Sequence, residues 1–148
     1  GVFTADCVPV LLYDKKNDVI SAVHSGWKGT LSCISVKALN LMKKEFGTQS
    51  ENIIAYIGPH IGGCCYEVGK EVQDKFNECK TYDNIEIINN NKLDLEKCII
   101  IQLTNEGVKK GNITSLNLCT FCDNKYELHS YRKGNINYGR MFSFVYLK

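Results

Sequence analysis

Two apolar, β-rich runs, Val8–Tyr13 and Val19–His24, stand either side of a polar Lys15–Asp18 segment. Runs of that length and spacing predict an antiparallel hairpin. A hairpin alone leaves an apolar face in water, so other parts of the chain must cover it. The pattern that follows supplies helices. Leu31, Ile34, Ala38, Leu41 and Met42 recur at helical spacing, and Gly47 follows as a stop. Val68, Val72 and Phe76 are four apart and predict a short amphipathic helix. Segment 94–107 has two readings. Ile99-Ile100-Ile101 favours a strand, whereas Asp94 as a cap and the Asn105-Glu106-Gly107 stop favour a helix, which is the reading adopted.

Ile53–Ile57 reads as a strand stopped by Gly58-Pro59, and Ile113–Cys119 and Phe142–Leu147 as two more. Residues 80–92 are polar and Asn-rich, giving a loop with at most a short strand near Ile85–Ile88. Gly58–Gly63 predicts a loop with special backbone angles. Strands and helices interleave without a regular βαβ period. The expected fold is therefore α/β (α+β), a single domain with a mixed β-sheet flanked by helices.

A chain of 148 residues suits one domain, taken here as residues 1–148. Net charge is +2, so no strong field marks it as a partner for nucleic acid or an anionic membrane surface. Its apolar runs are far short of the ~20 residues that span a bilayer. Eight cysteines invite a disulfide reading. A chain this rich in Val, Ile and Leu needs no such staples, and free Cys also packs as a small apolar residue. A reducing cytoplasm is the expected compartment.

Three places carry candidate chemistry. In the first, Cys7 begins one strand and His24 ends the next, seventeen residues on. Antiparallel pairing would set them face to face at one end of the hairpin. A thiolate and an imidazole there suit zinc, a nucleophile–base pair, or plain packing. Asp6 beside them can orient the site or carry a proton. In the second, Gly58–Gly63 offers either an anion cradle or a tight turn that lets two backbones approach. Adjacent Cys64 and Cys65 are read as core residues or thiols without an assigned role, because neighbours do not readily ligate one metal. In the third, Cys119-Thr120-Phe121-Cys122 is a Cys-x-x-Cys motif without a second such pair to complete a zinc ribbon. Beyond it, Arg132, Lys133 and Arg140 can hold a phosphate or form a solvated loop.

Read together, the motifs say more. Thr4-Ala5-Asp6-Cys7-Val8-Pro9-Val10-Leu11-Leu12, Ala22-Val23-His24-Ser25-Gly26-Trp27-Lys28-Gly29-Thr30, Ile57-Gly58-Pro59-His60-Ile61, Cys65-Tyr66-Glu67-Val68 and His129-Ser130-Tyr131-Arg132-Lys133 occur in one order. In that order they resemble the YfiH/YlmD family, long labelled polyphenol oxidase or laccase domain and now regarded as zinc-dependent purine nucleoside enzymes. The resemblance implies a compact α/β sandwich similar to the catalytic domain of cytotoxic necrotizing factor toxins. It implies zinc held by one Cys and two His, with Cys7 and His24 matching two of the three. The remaining His belongs to the family's N-terminal third, so the chain reads as a domain incomplete at its N-terminus.

The implied activity is phosphorolysis of adenosine, inosine and S-methyl-5′-thioadenosine, with deamination of adenosine. Purine nucleoside and phosphate are then the partners. Zinc with an open position lowers the pKa of water towards about 7, which suits attack at the purine C6. Arg132 or Arg140 is the candidate phosphate holder, and Asp6 a proton carrier or positioning group. Lys28 departs from the Arg usual after the family's Trp, replacing a planar fork with a point charge. Four-copper oxidase chemistry needs about ten His ligands, and the sequence has three His. Two rivals are a hydrolase editing peptidoglycan precursors and a binding module with a structural Cys–His pair. An isolated chain of residues 1–148 is expected to be inactive in inosine phosphorolysis.

Overall fold

The computed structural model describes residues 1–134 and 139–148. The predicted hairpin forms as β2 (Val8–Asp14) and β3 (Val19–Ser25), with the turn between them where the polar segment lies. Asp14 holds that turn. Its carboxylate accepts from the backbone N–H of Lys16 at 2.9 Å and from the Asn17 amide at 2.9 Å. β4 (Ile53–Ile57) lies antiparallel to β2, and β7 (Ile113–Ser115) lies parallel to β4. The result is a mixed four-stranded sheet in the order β3-β2-β4-β7. β1 (Val2–Thr4) and β8 (Met141–Ser143) make a separate antiparallel pair. A third pair, β5 (Ile88–Asn89) with β6 (Lys92–Leu93), closes a small loop.

Alternation along the strands decides which side is core. Val8, Val10 and Leu12 on β2 and Ile53, Ala55 and Ile57 on β4 are buried together. Leu39 and Met42 from α2 (Ile34–Phe46) and Cys98, Ile99 and Leu103 from α4 (Leu95–Asn105) complete that cluster. The helix reading of 94–107 holds because Asp94 accepts from the Lys97 backbone N–H at 2.8 Å, and Gly107 closes the far end at φ +91°. Gly47 ends α2 in the same left-handed way, at φ +66°.

Four expectations need correction. Leu31 does not share a helix with Ile34, Ala38 and Met42: it ends α1 (Trp27–Leu31), and Cys33 at φ +56° redirects the chain into α2. Leu41 is 57% exposed, so the buried stripe runs through Leu39 and Met42 instead. The strand at Ile113 ends at Ser115, where Asn117 turns the chain at φ +53°, rather than reaching Cys119. β8 covers Met141–Ser143 only, and Phe142, Phe144 and Tyr146 stack on the surface. The short helix α3 (Lys70–Asn77) forms as predicted, with Phe76 fully buried. No described helix is long and apolar enough to cross a membrane.

Candidate active site

The hairpin register sets the site. Because Asp14 pairs with Val19, every pair follows in step, and His24 falls opposite Pro9 rather than Cys7. The expected face-to-face pairing of Cys7 and His24 is thus wrong by two residues. The two nevertheless line one cavity of about 360 Å³, shared with Asp6, Trp27, Tyr66, Arg132 and Arg140. Asp6, Cys7, His24, Arg132 and Arg140 therefore meet in one place. His24 projects from the strand with its side chain open to solvent, as a ligand or base needs.

Cys7 is half-buried, and Gly26 is what makes room for it. A Cβ on Gly26 would stand 2.9 Å from the Cys7 sulfur. Burial pushes the Cys7 thiol up, the Asp6 charge adds to that, and the Arg140 charge opposes it. A free Cys7 is thus a thiol at neutral pH. A cation beside it would be needed to hold the thiolate.

Asp6 is a hub. It sits at φ +82°, a backbone conformation that a non-glycine residue adopts only under constraint. One carboxylate oxygen accepts from the Thr120 hydroxyl at 2.6 Å, and the other from the Arg132 backbone N–H at 2.8 Å. Its carbonyl accepts from the Ile61 N–H at 3.0 Å. One residue thereby joins three loops around the cavity. Both of its carboxylate oxygens accept a hydrogen bond, which fixes the orientation of the group.

Arg132 is likewise oriented. Its guanidinium lies 5.2 Å from the centre of the Tyr66 ring and donates to the Glu67 carbonyl at 3.0 Å. Burial pushes the Tyr66 hydroxyl up, with the Arg132 charge opposing. Trp27, Tyr66 and Tyr131 are cavity residues to which the sequence reading assigned no role. Each is an aromatic within a motif it quoted, and that was the available signal. Lys28 makes its described contact with Trp27 on the cavity wall. Its ammonium sits 5.4 Å over the Trp27 ring, with Lys75 at 5.6 Å.

The glycine-rich loop corrects a second expectation. None of Gly58, Gly62 and Gly63 has a positive φ. They are needed for close approach: a Cβ on Gly58 would meet the Pro9 ring at 2.8 Å, and one on Gly63 would meet Asp94 at 2.9 Å. Most N–H groups of the loop are already engaged within the protein, which favours the tight-turn reading over an anion cradle. The N–H groups of Gly58, His60, Ile61, Cys65 and Tyr66 all donate to backbone carbonyls, and that of Gly62 to the Cys119 sulfur.

The three histidines occupy three different places. His24 is in the cavity, and His129 packs against Gly139. His60 is buried, with Nδ1 2.9 Å from the Gly58 carbonyl and Nε2 3.2 Å from Glu96. They do not converge into a multi-histidine copper site.

The cysteines do converge. Among the described residues, the sulfurs of Cys64, Cys65, Cys119 and Cys122 lie within 4.8 Å of one another, in a geometry able to hold a metal ion. Cys64 and Cys65, expected as core residues or thiols without a role, thus stand beside the Cys-x-x-Cys motif that lacks a partner pair in the sequence. The missing pair is adjacent in sequence, a spacing that ribbon patterns do not include. At Cys119 burial acts to raise the thiol. The N–H groups of Gly62, Cys122 and Phe121 outweigh it and bring the group down to about 7.

Known proteins match this chain in both sequence and fold. The model of the multi-copper polyphenol oxidoreductase laccase family matches residues 1–148. The chain belongs to this family. A purine nucleoside phosphorylase of Clostridium acetobutylicum is 52% identical over 148 residues, covering 100% of this chain and 62% of that protein. The adenosine deaminase RL5, of an unknown prokaryotic organism, is 33% identical, covering 100% of this chain and 58% of that protein. The crystal structure of Bacillus licheniformis YfiH superposes with a TM-score of 0.80 at 32% identity, covering 88% of this chain and 51% of that one. The chain thus spans little more than half the length of these relatives. The family description names copper, but the three scattered histidines of this chain offer copper no shared site.

Proposed function

We propose that the Cys7–His24 cavity belongs to a zinc-dependent purine nucleoside phosphorylase that also deaminates adenosine. The observation that carries the reading is the meeting of a thiol, an imidazole, aromatic walls and two guanidinium groups in one cavity of about 360 Å³. Relatives named as purine nucleoside phosphorylase and adenosine deaminase support it.

The donors fit zinc by their chemistry. A thiolate and an imidazole are ligands of the type zinc takes, and the exposed His24 ring leaves an approach for substrate. Zinc bound by Cys7 and His24 would supply Lewis acidity that makes water a competent nucleophile near neutral pH. The chain's own residues do the rest. The aromatic walls that Trp27 and Tyr131 give the cavity suit a purine ring, since aromatic stacking accepts any base. Arg132, braced by Tyr66 and the Glu67 carbonyl, presents a guanidinium whose planar fork suits phosphate oxygens. Arg140 lies on the same cavity and adds a second positive charge. Asp6 lines the same cavity and holds the Arg132 loop in place.

The test is product analysis on zinc-loaded protein that carries the N-terminal third implied by the family resemblance, because residues 1–148 alone are expected to be inactive. Inosine with phosphate should yield hypoxanthine and ribose 1-phosphate, and adenosine should yield inosine and ammonia. Cys7→Ala and His24→Ala should each abolish both reactions while the fold survives. Absence of phosphate-dependent base release from the zinc-loaded, folded protein would overturn the reading. Release of a free amino acid from a peptidoglycan precursor would favour the editing hydrolase instead.

A further inference from the structure

We infer that Cys64, Cys65, Cys119 and Cys122 form a second metal site, a tetrahedral all-sulfur zinc centre that staples one wall of the cavity. The inference is independent of the nucleoside reading, since it uses none of that site's donors.

Geometry comes first. Four thiolates at about 2.3 Å from a zinc ion stand about 3.8 Å apart along the edges of a tetrahedron. The Cys64 and Cys122 sulfurs are 3.7 Å apart, and all four lie within 4.8 Å. A disulfide would need a separation of about 2.05 Å, and all eight cysteines are free thiols. The four sulfurs come from two turns. The Cys65 N–H donates to the Gly62 carbonyl at 2.9 Å, which folds Gly62–Cys65 into one turn. The Asp123 N–H donates to the Cys119 carbonyl at 3.0 Å, which folds 119–122 into the other.

The surroundings suit a bound thiolate centre. The Gly62 N–H donates to the Cys119 sulfur at 3.3 Å across the two turns. Such N–H groups stabilise sulfur ligands carrying negative charge. Four thiolates and one zinc leave a net charge of about −2. Lys92 and Arg132 line the small cavity beside Cys64 and Cys65 together with Glu67, and their excess positive charge offsets part of it. Soft sulfur donors of this kind select zinc over magnesium or calcium.

The role follows from what flanks the four cysteines. Tyr66 follows Cys65 and lines the active cavity, and Thr120 follows Cys119 and donates to Asp6. A zinc ion joining the two turns therefore fixes Tyr66 and the Asp6 hub relative to each other.

The test starts from a Cys7→Ala, His24→Ala double variant, which removes the cavity's two donors. Loaded with Zn2+ under reducing conditions and dialysed, it should retain about one zinc per chain. X-ray absorption at the zinc edge should show four sulfur neighbours at about 2.3 Å. Adding Cys64→Ser and Cys122→Ser should remove that zinc. Should those serines unfold the protein, cobalt exchanged into the double variant gives the same answer through intense thiolate-to-cobalt charge-transfer bands. A folded double variant that retains no zinc, or whose zinc has nitrogen or oxygen neighbours in place of sulfur, overturns the inference. A failed nucleoside assay leaves these readouts unaltered.

Discussion

The Thr120 hydroxyl donates to the Asp6 carboxylate at 2.6 Å, joining residues 114 apart in sequence. This contact ties the turn that carries Cys119 and Cys122 to the loop that carries Cys7. The Arg132 N–H fills the other oxygen of the same carboxylate. Removing the carboxylate thus orphans two donors at once, of which Thr120 is fully buried.

Asp6→Ala should lower the free energy of unfolding by about 2–4 kcal/mol, from two hydrogen bonds to a charged acceptor and a buried donor left unmade. Asp6→Asn keeps one acceptor and tolerates the left-handed backbone, so it should cost about half as much. Urea denaturation with an unchanged m-value would measure both. Equal stability of Asp6→Ala and the parent would refute the hub.

Gly26→Ala tests the space around Cys7. A methyl 2.9 Å from the sulfur must displace it. Zinc affinity of the cavity site should fall about 10–100-fold, the range seen when support for a ligand is lost. Gly111 is the control, since a Cβ there meets nothing within 4 Å. Gly111→Ala should alter neither zinc content nor stability by more than about 0.5 kcal/mol. Competition with a chelator of known affinity reads the difference.

Arg132→Lys keeps the charge but loses the planar contact with Tyr66 and the fork that reaches the Glu67 carbonyl. If phosphate binds here, its KM should rise roughly tenfold, about 1.4 kcal/mol, with the KM for nucleoside changed less. A phosphate KM equal to that of the parent would remove Arg132 from the phosphate site.

Asp14 gives a pH signature. Burial alone would raise its pKa, but donors from Lys16 and Asn17 outweigh it and hold the carboxyl below its ordinary value. A folded-state pKa below the unfolded one stabilises the protein above the unfolded value, near 3.9. That contribution is lost as pH falls from about 4 through the lowered folded value, with a slope of at most about 1.4 kcal/mol per pH unit. Asp14→Asn should flatten this acid limb and cost stability at pH 7. Parallel acid limbs in chemical denaturation from pH 2 to 7 would exclude the contribution.

Much of the local structure was legible because it rests on local free energy. The hairpin follows from two apolar runs around a polar turn. The helix at 95–105 follows from Asp94 at one end and Gly107 at the other, even against the strand propensity of Ile99–Ile101. The motif residues Asp6, Cys7, His24, Arg132 and Arg140 were also named from the sequence, and they meet in one cavity. Their register was not legible, because the exact pairing depends on where the turn closes. Asp14 opposite Val19 sets His24 against Pro9.

By itself, then, the sequence determined the strands and helices whose signals lie within a few residues, and the motif set that marks the family. Tertiary structure alone decided three things. It showed Asp6 to be a hub, because its partners Thr120 and Arg132 lie 114 and 126 residues away. It showed that the glycines of 58–63 serve close packing rather than unusual angles, because that depends on Pro9 and Asp94 opposite them. And it brought Cys64 and Cys65 to Cys119 and Cys122, since Cys64 and Cys122 are 58 residues apart and meet only after the sheet has placed β4 beside β7. No periodicity encodes such a meeting, because contacts between distant turns are set by how the core packs.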